Sequence, residues 1–258
     1  MEKKLVYDIG MHTGQDTINY LKKGYKVIAV EASPVLAEEG NKKFKQYVDD
    51  GSLTILNMGI SDHDGILPFY INLKTSEWSS FDFEAGTRNN SPYEVKNIQC
   101  ITTSEMFRKY GVPYLLKVDI EGLDYLCIND LPDVAPGKGV QFVSCEASDV
   151  SLIDTMYARG YRKFKLIHQA FNFNPININL EKNKIFPYLL ELYVPLKIRF
   201  QKIFPLEYPY SSSGPMPHES KGPWLDYSTV RQLYVDFYQG DLKKPLGHKS
   251  WFDFHATI

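Results

Sequence analysis

At 258 residues the chain suits one large α/β domain, or one domain with a sizeable insertion, and its net charge of −2 gives no broad basic field for nucleic acid. Three cysteines, Cys100, Cys127 and Cys145, stand far apart with no paired metal pattern, which reads as buried thiols in a reducing, cytoplasmic compartment. The N-terminal residues lack the apolar run of a signal peptide, and no stretch of about 18 apolar residues predicts a membrane span.

The apolar run Leu5 to Gly10 predicts a buried strand ending in a tight turn, and Thr13 or Gly14 opens a helix to about Lys23. Lys26 to Val30 predicts a second strand with Glu31 just beyond it. Pro34 suits the first turn of a helix running to about Val48. Leu53 to Asn57 is a third strand, and Gly65 to Ile71 an extra strand in a hairpin. Asn72 to Lys96 is polar with scattered aromatics, an insertion that either gates the ligand pocket or stays disordered until ligand binds. A helix over Thr103 to Tyr110 precedes a strand at Tyr114 to Asp119; another strand, Val140 to Glu146, leads into a helix from Val150 to Arg159. The last strand candidates are Arg162 to Ile167 and Trp251 to Ala256.

Strand alternating with helix implies right-handed crossovers and a doubly wound, mostly parallel α/β sheet of seven strands in a single domain. Ligands of such sheets sit beyond the carboxyl ends of the strands. The residues there are small, acidic or polar: Asp8-Ile9-Gly10, Glu31, Asn57, Asp119 and Glu146.

The first turn, Asp8-Ile9-Gly10-Met11-His12-Thr13-Gly14, has two glycines that let backbone approach a ligand, at a spacing unlike the dinucleotide pattern. The plain alternative is a tight turn with no ligand. Glu31, at the end of the second strand, can accept hydrogen bonds from both hydroxyls of a ribose, although NAD uses the same device. A solvated surface glutamate is its bland counterpart. Past the third strand, a backbone N–H between Asn57 and Gly65 could read an adenine edge with Ile60 on its face; taken alone, an ordinary hairpin turn is the better reading. In Lys117-Val118-Asp119-Ile120-Glu121-Gly122, strand alternation would put both carboxylates on one side. Buried carboxylates need partners, and an ammonium-bearing ligand, a metal, a lysine or helix N–H groups would supply them.

Taken together, the first turn, Glu31, the Asn57 to Gly65 stretch and the Lys117 to Gly122 element resemble the FkbM family of methyltransferases over about residues 5 to 170. The resemblance implies a class I methyltransferase fold, S-adenosylmethionine as methyl donor, and an oxygen of a sugar or other small polar molecule as acceptor. It implies that Asp8, Gly10, His12, Gly14 and Thr17 surround the methionine and ribose portions. Glu31, with Ala32 beside it, would hold the ribose; Ser61 and Asp62 lie on the adenine side, and Asp119 and Glu121 near the methyl group.

An alcohol acceptor loses a proton as it attacks, and the candidates to take it are Asp119, Glu121, Glu146 and His168. His168 as a lone histidine is more often structural, and His12 reads as a loop-stabilising residue. Asp119, Glu121 and Glu146 could offer oxygens to Mg2+, but no spacing demands a metal and none is expected. Residues 171–250 form an aromatic, proline-rich insertion with a helix within Lys184 to Ile203 and another from Asp226 to Tyr238. It reads as a packed extension, as an acceptor lid walled by Tyr208, Tyr210 and Trp224, or as a homodimer contact. A nucleotide-dependent oxidoreductase and a non-catalytic adenosyl-ligand binding module are the competing functions.

Overall fold

Residues 3–134, 139–169, 186–201, 203–204, 206, 208, 212–238 and 251–258 are described in the computed structural model of the chain. They belong to two units, Met1–Gln141 and Phe142–Ile258.

In the first unit, β1 (Leu5–Ile9) is flanked by β2 (Lys26–Val30) and β7 (Leu115–Val118), with β3 (Leu53–Leu56) beyond β2. All are parallel, with Tyr7 opposite Ile28 on one side and Leu116 on the other. The central position of β1 explains its composition: buried on both faces, it reads as a continuous apolar run and not as an alternation. The Tyr7 hydroxyl within it is satisfied by the carbonyls of Gly111 at 2.6 Å and Met106 at 3.2 Å.

Connecting helices start where their residues can cap them. α1 (Gln15–Lys22) follows Gly14, whose φ of 76° is left-handed. α2 (Pro34–Lys43) has Ser33 as N-cap and Pro34 in the first turn. The single helix expected to Val48 breaks at Phe44, and α3 (Lys45–Asp49) follows it. α5 (Thr103–Tyr110) is capped by Thr102 and ends at Gly111, with φ 91°.

Between β3 and α5 lies a small sheet of β4 (Gly59–Ile60), β6 (Tyr93–Ile101) and β5 (Gly65–Asn72), in that order. The stretch from Asn72 to Lys96, expected as a gate or as disorder, is folded: it holds α4 (Phe83–Gly86) and the start of β6. The expected hairpin partner of β5 is thus β6, whose mostly exposed first half conceals its strand character. α6 (Asp124–Asn129), also unforeseen, follows β7.

The second unit contains β8 (Phe142–Glu146), α7 (Val150–Ala158), β9 (Lys163–His168), α8 (Phe186–Gln201), α9 (Tyr227–Tyr238) and β10 (Phe252–Thr257). β10 lies between β8 and β9, antiparallel to both. Seven strands in a mostly parallel, doubly wound α/β arrangement are the fold class expected from the sequence. Much of the 171–250 insertion, including Tyr210, lies outside the described residues. Within it, Trp224 stacks on Phe142 and lies under the Lys165 ammonium at 4.5 Å, a packed role for one expected lid residue. Among the described residues no helix is long and apolar enough to cross a membrane.

Candidate active site

The carboxyl ends of β1, β2 and β7 carry the acidic rim. Asp8, fully buried in β1, accepts from Thr17 Oγ1 of α1 at 2.5 Å. The next residues leave the strand sharply: Gly10 has φ 82°, and its N–H and that of Met11 both donate to Val30 of β2. A Cβ on Gly10 would stand 1.9 Å from the carbonyl oxygen of Asp119, so only glycine lets the two turns touch.

His12 follows with φ 50°, a left-handed conformation that costs a residue with a Cβ roughly 1–2 kcal/mol. Its N–H donates to Glu31 Oε2 at 2.8 Å, while the N–H of Ser33 donates to Glu31 Oε1 at 2.8 Å. Both carboxylate oxygens are therefore fixed in direction. Burial raises the Glu31 carboxyl above its ordinary range, and these two N–H groups pull it back. Asn57 secures the same corner, donating to the carbonyls of Glu31 at 2.9 Å and Ala32 at 3.1 Å.

The charge that organises the rim comes from β7. Lys117 is buried, its ammonium 3.1 Å from Asp8 and 3.8 Å from both Asp16 and Asp119, and it donates to the Gly10 carbonyl. Burial alone would lower its pKa; Asp8, Asp119 and Asp16 outweigh that and hold it above the ordinary lysine value. Here the carboxylates' partner is the lysine of the motif itself. Of the four groups Asp119 is the most accessible, with a side chain 35% exposed.

β7 ends at Val118, so Asp119 and Glu121 do not share a strand face as alternation suggested. They stand on a turn in which Glu121 has φ 50° and Gly122 φ 87°. The Glu121 carboxylate pairs with Arg88, and burial raises its pKa against the opposing pull of that guanidinium. His12 Nε2 lies 2.9 Å from Ser76 Oγ, the loop-holding contact expected of it; burial lowers its pKa. Deeper in the same turn, Asp124 is fully enclosed. Neither carboxyl oxygen has a hydrogen-bond partner in another described residue, and burial, then Asp119, pushes its pKa up to about 7.

Ser61 and Asp62 make their contacts near β4 and β6: the Ser61 N–H donates to Ile101, and Asp62 pairs with His63 at 2.6 Å. Ile60, expected on an adenine face, is buried in β4 beside Ile101. Glu146 and His168 belong to the second unit. Glu146 ends β8 opposite Asp253. His168 ends β9, buried against the Phe252 ring, and burial lowers its pKa to about 4. Among the described residues no cluster of three or more His, Cys, Asp and Glu side chains is arranged to hold a metal.

Lys117 was legible in principle, since a lysine inside a wholly buried strand must meet opposite charge. Arg88, Ser76 and Asp16 had no such signal, because their roles depend on partners distant in sequence.

A glycine turn after β1, an oriented acid after β2 and an acidic turn after β7 stand at the carboxyl ends of parallel strands, where doubly wound folds bind their ligands. The chain belongs to the FkbM methyltransferase family: the model for the methyltransferase FkbM domain matches residues 8–163. The family has the class I fold and depends on S-adenosylmethionine. No curated protein matches the chain. Similar solved structures include a precorrin-6y C5,15-methyltransferase from Geobacter metallireducens, at 10% identity and TM-score 0.36 over 67% of this chain and 73% of that one. A TehB-like SAM-dependent methyltransferase from Corynebacterium glutamicum gives 8% and 0.37, over 69% and 76%. A phosphoethanolamine N-methyltransferase 2 from Haemonchus contortus, in complex with S-adenosyl-L-methionine, gives 10% and 0.40, over 100% and 49%.

Two stability predictions follow from the buried charges. Lys117→Met leaves Asp8, Asp16 and Asp119 facing one another, and urea denaturation should show a loss of about 3–5 kcal/mol; a loss below about 1 kcal/mol would mean that Lys117 is not the counter-charge that matters. Asp124 binds its proton more tightly folded than unfolded, so its burial is without penalty below about pH 4 and destabilises progressively as pH rises towards 7. Asp124→Asn removes this slope. Relative to the variant, the wild type should lose on the order of 4 kcal/mol between pH 4 and 7, and parallel stability curves would show Asp124 to be ionised in the fold.

Proposed function

We propose that the chain transfers a methyl group from S-adenosylmethionine to an oxygen of a sugar or other small polar acceptor. The observation that carries the donor assignment is Glu31: a carboxylate at the end of β2, aimed by two backbone N–H groups beside a glycine turn. A carboxylate so held has lone pairs left for two adjacent hydroxyls, as a ribose presents them. Asp119, the most accessible carboxylate of the Lys117 group, suits the ammonium of the methionine end. The donor fits this chemistry, with acceptor oxygens where it carries hydroxyls and an ammonium.

The bound donor supplies an activated methyl group on a sulfonium. What remains for the protein is to orient the acceptor, exclude water and accept a proton. Asp119 and Glu121 lie on one turn, and burial raises the Glu121 carboxyl above its ordinary range, the direction that suits a proton acceptor. The oxygen acceptor itself rests on the family resemblance. A reducing, cytoplasmic setting suits Cys100, Cys127 and Cys145, all buried free thiols.

Calorimetry with S-adenosylhomocysteine and with NAD tests the donor. The wild type should bind the former and not the latter, and Glu31→Ala should weaken binding at least about 30-fold, the loss of two charge-assisted hydrogen bonds. An unchanged dissociation constant would remove the ribose assignment. Asp119→Asn should leave the urea midpoint within a small margin and lower turnover about 100-fold in a screen of sugar acceptors with labelled donor. Full activity in that variant would place the reaction centre elsewhere.

A further inference from the structure

A second layer of side chains reaches the rim from the segment between β5 and β6. Ser76 Oγ meets His12 Nε2, Arg88 Nη2 donates to the Glu121 carboxylate, and Ser80 Oγ donates to the Glu121 carbonyl at 3.5 Å. These three contacts end on only two rim residues. Both have left-handed backbones although neither is glycine, φ being 50° at each. Strain of that kind persists only where surrounding contacts fix it, and it gathers at sites that bind or switch.

The segment that supplies the contacts is itself built. The Asn72 side-chain carbonyl accepts from the N–H groups of Lys74 and Thr75 at 3.0 Å each, and its amide donates to Gly86 at 2.8 Å. Ser80 and Tyr70 exchange backbone hydrogen bonds. Arg88 is held on three sides: Nε donates to Ala85 at 2.9 Å, the guanidinium lies 5.1 Å over the Trp78 ring, and Nη2 engages Glu121. Planarity and a fixed fork of donors let arginine do all three, which lysine's single ammonium cannot.

We propose that residues 73–92 are a cap over the donor rim, and that Arg88 is the positioning residue that seats it by holding Glu121. The cap rests on the donor reading above. His12 also carries the N–H that aims Glu31, so the turn that grips the nucleoside and the cap that covers it share one residue. Donor affinity and cap seating are then linked, and each strengthens the other by the same factor. The Trp78 ring beneath the Arg88 guanidinium backs the group that holds Glu121.

The test combines calorimetry with S-adenosylhomocysteine and hydrogen exchange of the full chain, read on peptides covering 73–92. In the wild type the ligand should slow exchange in those peptides. Arg88→Ala should bind it about tenfold more weakly and lose that protection, Arg88→Lys should recover part of the affinity, and Ser76→Ala should weaken it about threefold through the other contact. Urea midpoints close to wild type identify these as effects on seating. Arg88→Ala with wild-type affinity and wild-type protection would overturn the cap. If Arg88→Ala does not fold, Ser76→Ala with unchanged affinity and protection decides against it equally. Failure of the wild type to bind S-adenosylhomocysteine would instead overturn the donor reading, whereas Glu31-dependent binding that ignores Arg88 and Ser76 would defeat the cap alone.

Discussion

A buried ammonium cannot stand without opposite charge, and Lys117 meets that constraint by drawing three carboxylates from three elements to one point. Asp8 belongs to β1, Asp16 to α1 and Asp119 to the turn after β7. The cluster therefore joins the ends of β1 and β7 to the start of α1, the region where a doubly wound sheet keeps its ligand site. Its members are unequal. Asp8 and Asp16 are enclosed, while Asp119 is the most accessible of the three. Charge put in the core for architecture thus leaves one carboxylate facing outward, already oriented.

The other half of the rim is set by backbone donors. Glu31 is aimed by N–H groups from a loop that bends as it does because Gly10, His12 and Gly14 all accept left-handed conformations. The glycines do so at little cost. His12 does not, and its strain is borne by Glu31 on one side and Ser76 on the other. Shape and charge are coupled here: altering the turn would misdirect the acid, and removing the acid would release the turn.

How much of this was legible in the sequence depended on the range of the interaction. The core strands and their flanking helices were readable because continuous apolar runs, Pro34 and the capping residues act locally. The positions of Glu31 and Asp119, just past their strands, were readable because the apolar runs before them stop there. β6 was not: Tyr93, Val95 and their polar neighbours are exposed, so only Ile98, Cys100 and Ile101 report burial, at the far end. The face shared by Asp119 and Glu121 was misread because alternation stops with the strand, and β7 stops at Val118. Arg88 was invisible, since the carboxylate that gives it a role lies 33 residues away. His168, read as a base candidate at its strand end, is buried beside the Phe252 ring, a contact from a strand distant in sequence.

The missing side chain at Gly10 matters beyond the bend it permits. The carbonyl of Asp119 occupies the space where a methyl group would be, so the loop after the first strand and the loop after the seventh are in direct mechanical register, with no slack between them. The glycine turn and the acidic turn are consequently not independent parts. A shift of either loop has to be followed by the other, so the separation of the Glu31 corner from the Asp119 turn is set by the backbone contact at Gly10.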